Sequence, residues 1–181
     1  IDFKLYFSKN SSSVGLSLLS YQSGKNDGYF LLSASPSIEI DKSNIESKDV
    51  TFILDVSGSM SGEKLEQAKK ALVYCVNNLN AGDHFNVIRF STEAYSLFKS
   101  LEKANKQNIN EAKRFIDDLQ AIGGTNIEEA FNLAFKNYTE SNRPHFIVFL
   151  TDGKPTIGEM NDEKLIKGIL NTNKGNSRIF T

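Results

Sequence analysis

Five oxygen-bearing side chains in three glycine-containing segments carry the chemistry available to this sequence. Asp55, Ser57 and Ser59 stand in Asp55-Val56-Ser57-Gly58-Ser59, Thr125 closes Gly123-Gly124-Thr125, and Asp152 is the middle of Thr151-Asp152-Gly153. Two carboxylates and three hydroxyls are the donor set of a small oxygen cage for a hard divalent cation: Mg²⁺, or Mn²⁺ or Ca²⁺, with water filling the remaining positions. Neutral hydroxyl oxygens cancel none of the ion's charge. A cation held by Ser57, Ser59 and Thr125, with Asp55 and Asp152 nearby or acting through water, stays electrophilic, so an acidic group of a partner can complete its shell. Few formal charges also imply modest affinity and an exchangeable coordination position.

Such donors converge only if they sit at the ends of strands in one sheet. Residues 50–54 (VTFIL), 85–90 (FNVIRF) and 145–150 (HFIVFL) are nearly continuous apolar runs, the pattern of strands covered on both faces. Between the first two, Leu65, Ala68, Leu72, Cys75, Val76 and Leu79 follow the period of an amphipathic helix, closed by Gly82. A second helix uses Ile109, Ala112, Phe115, Ile116 and Leu119, with Asn108 and Glu111 as its capping pair. A third uses Ile127, Ala130, Phe131, Ala134 and Tyr138, a fourth is expected over 162–170, and a strand follows at 178–181. This alternation predicts an α/β fold: a Rossmann-like, doubly wound, mostly parallel sheet flanked by helices. Ligands of such sheets bind outside the carboxyl ends of the strands, where strand order reverses.

The first 41 residues read differently. Segments 2–8, 14–21 and 28–34 are short, aromatic and branched, separated by turn formers, and one further short strand is expected at 38–40. We place a small β-rich segment at 1–41, a linker at 42–48 and the α/β domain at 49–181.

Composition removes other classes. Lys+Arg 21 against Asp+Glu 22 gives a net charge of −1, without the basic footprint that nucleic acid or an anionic membrane requires. No apolar run approaches the roughly 20 residues of a membrane helix, so direct membrane insertion is not expected. The single Cys75 excludes an internal disulfide framework and a cysteine-based zinc site. Neither a GxGxxG nor a P-loop follows the first strand of the α/β domain. The chain begins at Ile1, which reads as a fragment.

The combination of Asp55-Val56-Ser57-Gly58-Ser59, Thr125 in GGT and Asp152 in TDG resembles the metal-ion-dependent adhesion site of von Willebrand factor type A domains. Residues 27–32 (DGYFLL), Pro36 and 48–55 (KDVTFILD) are similar to the junction in inter-alpha-trypsin inhibitor heavy chains and their bacterial relatives. The resemblance implies that 1–41 are the terminal strands of an inter-alpha-trypsin domain and that 49–181 lack the final helix and strand of the type A domain. It implies a metal-dependent adhesion module for a protein or glycan ligand, in an extracellular or cell-envelope setting. The loop after Ser59 and residues 154–159 lie where partner specificity is expected.

An alternative is a Mg²⁺-dependent phosphohydrolase or phosphotransferase using Asp55 as nucleophile. Such enzymes need a second acid two residues on, where this chain has Ser57, so no enzyme is expected. Each residue also has a plainer reading. Thr125-Asn126-Ile127-Glu128 fits a capping box, and Ser57, Ser59 and Asp152 suit ordinary turns. His84 and His145 fall at strand beginnings, away from the site, in structural or exposed roles. Cys75 reads as inert core, and Lys64, Lys69 and Lys70 as a solvated helix face. The sequons at Asn10 and Asn137 are assigned no function.

Overall fold

The computed structural model describes residues 14–22, 24, 27–36, 46–174 and 177–181. They belong to two units, Ile1–Ile45 and Glu46–Thr181. In the first, β1 (Val14–Tyr21) pairs antiparallel with β2 (Tyr29–Pro36), with Leu18 opposite Leu32 and Tyr21 opposite Tyr29. Alternation along the strands puts Leu16, Leu18, Phe30 and Leu32 on one face and Leu19, Tyr21, Tyr29 and Leu31 on the other, all of them exposed. The segments expected at 2–8 and 38–40, and the sequon at Asn10, lie outside the described residues.

The second unit runs β3 (Asp49–Asp55), α1 (Glu63–Asn77), β4 (His84–Phe90), β5 (Ala94–Ser96), β6 (Glu102–Lys103), α2 (Lys106–Asp117), α3 (Ile127–Asn137), β7 (His145–Leu150), α4 (Asp162–Thr172) and β8 (Arg178–Phe180). Its sheet has the order β5-β4-β3-β7-β8, with β6 also on β4. The pairs β3–β4, β3–β7 and β7–β8 are parallel, while β5 and β6 join β4 antiparallel. Every residue of β3 is buried, as its unbroken apolar run requires of a central strand. Val50, Phe52 and Leu54 pack with Leu65, Leu72 and Val76 of α1 and Ala112 and Ile116 of α2. Ile53 points the other way, into a core with Ile88, Phe90, Phe131 of α3 and Leu165 of α4. One helix pair covers each face, so the sheet is doubly wound as expected. The chain leaves β3 for β4 on one side and later adds β7 on the other, so the carboxyl end of β3 is the point where strand order reverses.

Several local expectations are corrected. Cys75 is exposed rather than core. At 3.6 residues per turn it lies about 60° around α1 from Leu72 and about 100° from Val76, on the rim of the apolar stripe. Gly82 does not close α1. That helix ends at Asn77, and Asn78 caps it through its backbone N–H and a side-chain bond to the Tyr74 carbonyl at 2.8 Å. Gly82 instead lets the chain pass Ser47, whose hydroxyl would lie 2.2 Å from an added Cβ. The α2 cap is Asn105, which accepts from the Asn108 backbone N–H, in place of the Asn108–Glu111 pair. The α3 cap is Asn126, which accepts from Glu129 N and donates from Nδ2 to Glu129 Oε2. The cap therefore sits at Asn126, one residue after the Thr125 frame. The edge strands β5 and β6 carry no strong periodicity and were not expected. The buried Asn86 side chain holds that region by bonding both the N–H and the carbonyl of Phe98.

The amino ends of the strands form a polar clamp. Arg143 and Ser141 hold the buried Asp49, at 2.6 and 2.7 Å. Lys48 reaches the buried Asp83 through both its N–H and its ammonium. Burial alone would push the Asp83 carboxyl up, but the Lys48 and Asn80 hydrogen bonds outweigh it and hold it below the usual carboxylate value. His145 lies buried between the Thr51 hydroxyl at 2.9 Å and the Ser177 hydroxyl at 2.7 Å, its ring stacked on Tyr138. His145 is structural, at the end of the sheet remote from Asp55.

Burial lowers the His145 pKa from 6.5 to about 4, with Asp49 opposing the shift. The unfolded chain takes up this proton first, so stability is full above pH 6.5 and falls as the pH drops toward 4. The loss is on the order of 3 kcal/mol at 1.36 kcal/mol per pKa unit. Denaturant unfolding of His145→Asn is expected to lose less stability than the wild type across that window; equal slopes would refute the assignment. A second expectation concerns α3: Asn126→Ala should cost about 1 kcal/mol of stability by removing the cap. In the same unfolding assay Thr125→Ala should cost much less, and the reverse ranking would restore the Thr125 cap.

Candidate functional site

Asp55 ends β3 with no solvent exposure. A buried carboxylate must find donors, and it finds two. Oδ1 accepts the Ser57 backbone N–H at 2.8 Å, and Oδ2 accepts the Thr151 hydroxyl at 2.6 Å. The first bond bends the chain sharply after β3; the second ties that bend to the end of β7. A 3-10 turn, Gly58–Met60, follows and brings the Ser57 and Ser59 hydroxyls within 3.1 Å. The Ser59 hydroxyl donates to Asp152 Oδ1 at 2.7 Å. Ser57, Ser59 and Asp152 thus form one hydrogen-bonded row above Asp55.

The segment carrying Thr125 is stitched to the same bend. Ile122 N donates to Val56 O at 2.8 Å, and Gly58 N to Gly123 O at 2.9 Å. Gly123 has φ 87 and passes so near Thr92 that an added Cβ would lie 2.7 Å from its hydroxyl, so only glycine suits the position. Thr125 is buried, and the 154–159 loop holds its backbone from both sides. Its N–H donates to the Thr156 hydroxyl at 2.8 Å, and its carbonyl accepts from Thr156 N and Ile157 N. Because Asn126 does the capping, the Thr125 hydroxyl has no hydrogen-bond partner among the described residues.

All five expected residues therefore lie on three loops bonded directly to one another at the carboxyl edge of the sheet. Asp55, Ser57, Ser59 and Asp152 are joined side chain to side chain or side chain to backbone; Thr125 joins through its loop. These are the oxygens that could hold a hard divalent cation. Among the described residues no three His, Cys, Asp or Glu side chains gather to form a metal cluster. Bound there, such an ion would supply a positive charge with open positions for an anionic ligand. The chain's own part is positional: Asp55 fixes the bend, the 154–159 loop aims Thr125, and Thr151 locks the first loop to the third. Two shallow clefts, of about 380 Å³ beside Gln107 and Arg114 and about 450 Å³ beside Phe135 and Thr172, include none of these residues.

Two contributors had no sequence signal. Thr151 stands in the sequence only as the neighbour of Asp152, yet its hydroxyl holds Asp55. Lys64, expected to be solvated, places its ammonium 2.6 Å from Asp152 Oδ2. That hydrogen bond first, and the Ser59 hydroxyl second, hold the Asp152 carboxyl below the usual 3.8. Lys69 is also not free: its ammonium donates to the Asp117 carbonyl at the end of α2 at 3.0 Å, where a cation complements the helix dipole.

Ser57 stands two residues after Asp55, so this edge supplies no second acid for phosphotransfer.

Known proteins resemble this chain over most of its length. Human inter-alpha-trypsin inhibitor heavy chain H4 is 38% identical over 141 residues, covering 74% of this chain and 15% of the relative. Mouse inter alpha-trypsin inhibitor heavy chain 4 is 34% identical over 187 residues, covering 99% of this chain and 19% of the relative. The chain thus spans less than a fifth of the length of either. A solved structure of a von Willebrand factor type A protein from Catenulispora acidiphila superposes with a TM-score of 0.68 at 23% identity, over 97% of this chain and 42% of that one. The family profile described as von Willebrand factor type A domain matches residues 48–181. The chain belongs to the von Willebrand factor type A domain family.

Proposed function

We propose that this chain is a metal-dependent interaction module, in which Asp55, Ser57, Ser59, Thr125 and Asp152 hold Mg²⁺ or a similar divalent cation. An acidic group of a protein or glycan partner completes the metal shell. The observation that supports this best is the row Ser57–Ser59–Asp152 lying over a buried Asp55, with the unpartnered Thr125 hydroxyl on the adjoining loop. Hydroxyls leave the ion's charge uncancelled.

The likeness to inter-alpha-trypsin inhibitor heavy chains supports an extracellular or cell-envelope setting, and among the described residues no helix is long and apolar enough to cross a membrane. The same likeness supports reading residues 1–41 as strands of an inter-alpha-trypsin domain. Eight large apolar side chains exposed on both faces of the β1–β2 hairpin fit a hairpin that belongs to a larger sheet structure.

Calorimetric titration of the chain with Mn²⁺ or Mg²⁺ should reveal a single site. Ser59→Ala, at a residue on the surface, should weaken it roughly tenfold or more without unfolding the domain. Asp55→Ala should abolish it. An unchanged isotherm in both variants would sink the assignment, as would full retention of a captured partner after chelation.

A further inference from the structure

We propose that Lys64 is a built-in competitor for the cation site: its ammonium is the resident counter-ion of Asp152, and a divalent ion must displace it. The inference rests on the cation reading above and adds a residue that sets the affinity of that site.

Three observations converge on it. The Lys64 ammonium lies 2.6 Å from Asp152 Oδ2, while Asp152 Oδ1 accepts the Ser59 hydroxyl. Both oxygens of the one exposed carboxylate in the set are therefore occupied, one by a donor hydroxyl and the other by a full positive charge. Second, Lys64 is the second residue of α1, in the turn where the helix dipole disfavours a cation and where Glu63 and Glu66 are the favoured charges. Its place is not explained by helix stability; Asp152 is the group it serves. Third, the side chain is 61% exposed, so it can swing into solvent at small cost when a stronger cation arrives. An exposed ion pair is weak, and a tethered ammonium bonded to one oxygen is a poor match for an ion that draws on several oxygens together.

The competition has two arms. With Lys64 on Asp152, an entering ion meets a carboxylate whose charge is already balanced and is repelled by the ammonium beside it. With Lys64 swung away, the ammonium remains on its stem near the ion. Neutralising residue 64 should then strengthen metal binding, the opposite of what loss of a metal-supporting residue does.

The test is calorimetric titration of the full chain with Mn²⁺ alone, comparing wild type, Lys64→Met, Lys64→Gln and Lys70→Met. Lys70 is exposed on the same helix and loses the same charge without touching Asp152, so it reports the general field. Both Lys64 variants are expected to bind roughly tenfold tighter than the wild type, and Lys70→Met to stay within about threefold. Unchanged or weaker binding in the Lys64 variants, with the wild type still binding, overturns the competitor role and leaves the cation site standing. An equal gain in Lys70→Met also overturns it. Binding in none of the four chains overturns the cation site itself.

Discussion

The carboxylate of Asp55 governs the arrangement of everything above the sheet. It is sealed at the end of the most buried strand, where an unbonded oxygen would be costly. Its partners are a backbone N–H two residues on and the Thr151 hydroxyl of a neighbouring strand end. Parallel pairing makes this possible, because Asp55 is level with Phe90 of β4, and Leu54 with Leu150 of β7. Three chain segments must leave the sheet side by side, and one buried carboxylate binds two of them. Neither of its donors carries a full charge, so the negative charge under the hydroxyl row is solvated by dipoles and not cancelled. Asp152, on the surface, has the opposite character: its charge is met by the Lys64 ammonium.

The polar clamp and the candidate site lie at opposite ends of the strands. The amino ends carry Asp49 with Arg143, Asp83 with Lys48, and His145 between two hydroxyls. The two carboxylates and His145 are buried while Lys48 and Arg143 are about a third exposed, so breaking such an arrangement leaves a buried group without solvent or bond. The carboxyl ends carry glycine-containing bends, short side chains and one exposed ion pair. On the proposed reading, an edge whose fixed groups are mostly neutral would exchange a bound ion without threatening the fold, since the core and the amino-end clamp hold the strands.

What could be read from the sequence was what is local in chain or periodic in space. The runs of β3, β4 and β7 declare strands covered on both faces, and the DxSxS, GGT and TDG segments carry their donor types within a few residues each. Features decided by tertiary reach could not be read. Lys64 and Asp152 are 88 positions apart, and Asp55 and Thr151 are 96. Helical periodicity places Lys64 on an exposed face, correctly, but says nothing of what its flexible stem will touch. Capping was ambiguous for a different reason: Thr125 and Asn126 each have a glutamate three residues on, and both frames satisfy the pattern. The 154–159 loop decides between them by gripping the Thr125 backbone from outside, which leaves Asn126 to start the helix.

That choice bears on function. A threonine engaged in capping would direct its lone pairs at backbone N–H groups and have little left for an ion. With the cap moved to Asn126, the hydroxyl of Thr125 is released while its backbone stays rigid, so the site gains a positioned donor that is not committed elsewhere. Charge completes the picture. Asp55, Asp152 and Lys64 together carry one net negative charge, and the whole chain is also at −1, so neither supplies a field that attracts an acidic ligand. A divalent ion reverses the sign at the edge alone. On the proposed reading, then, recognition of an acidic partner depends on an ion that few formal charges hold and that a lysine contests, and the reversal lies within a few ångströms of residues whose positions the fold has already fixed.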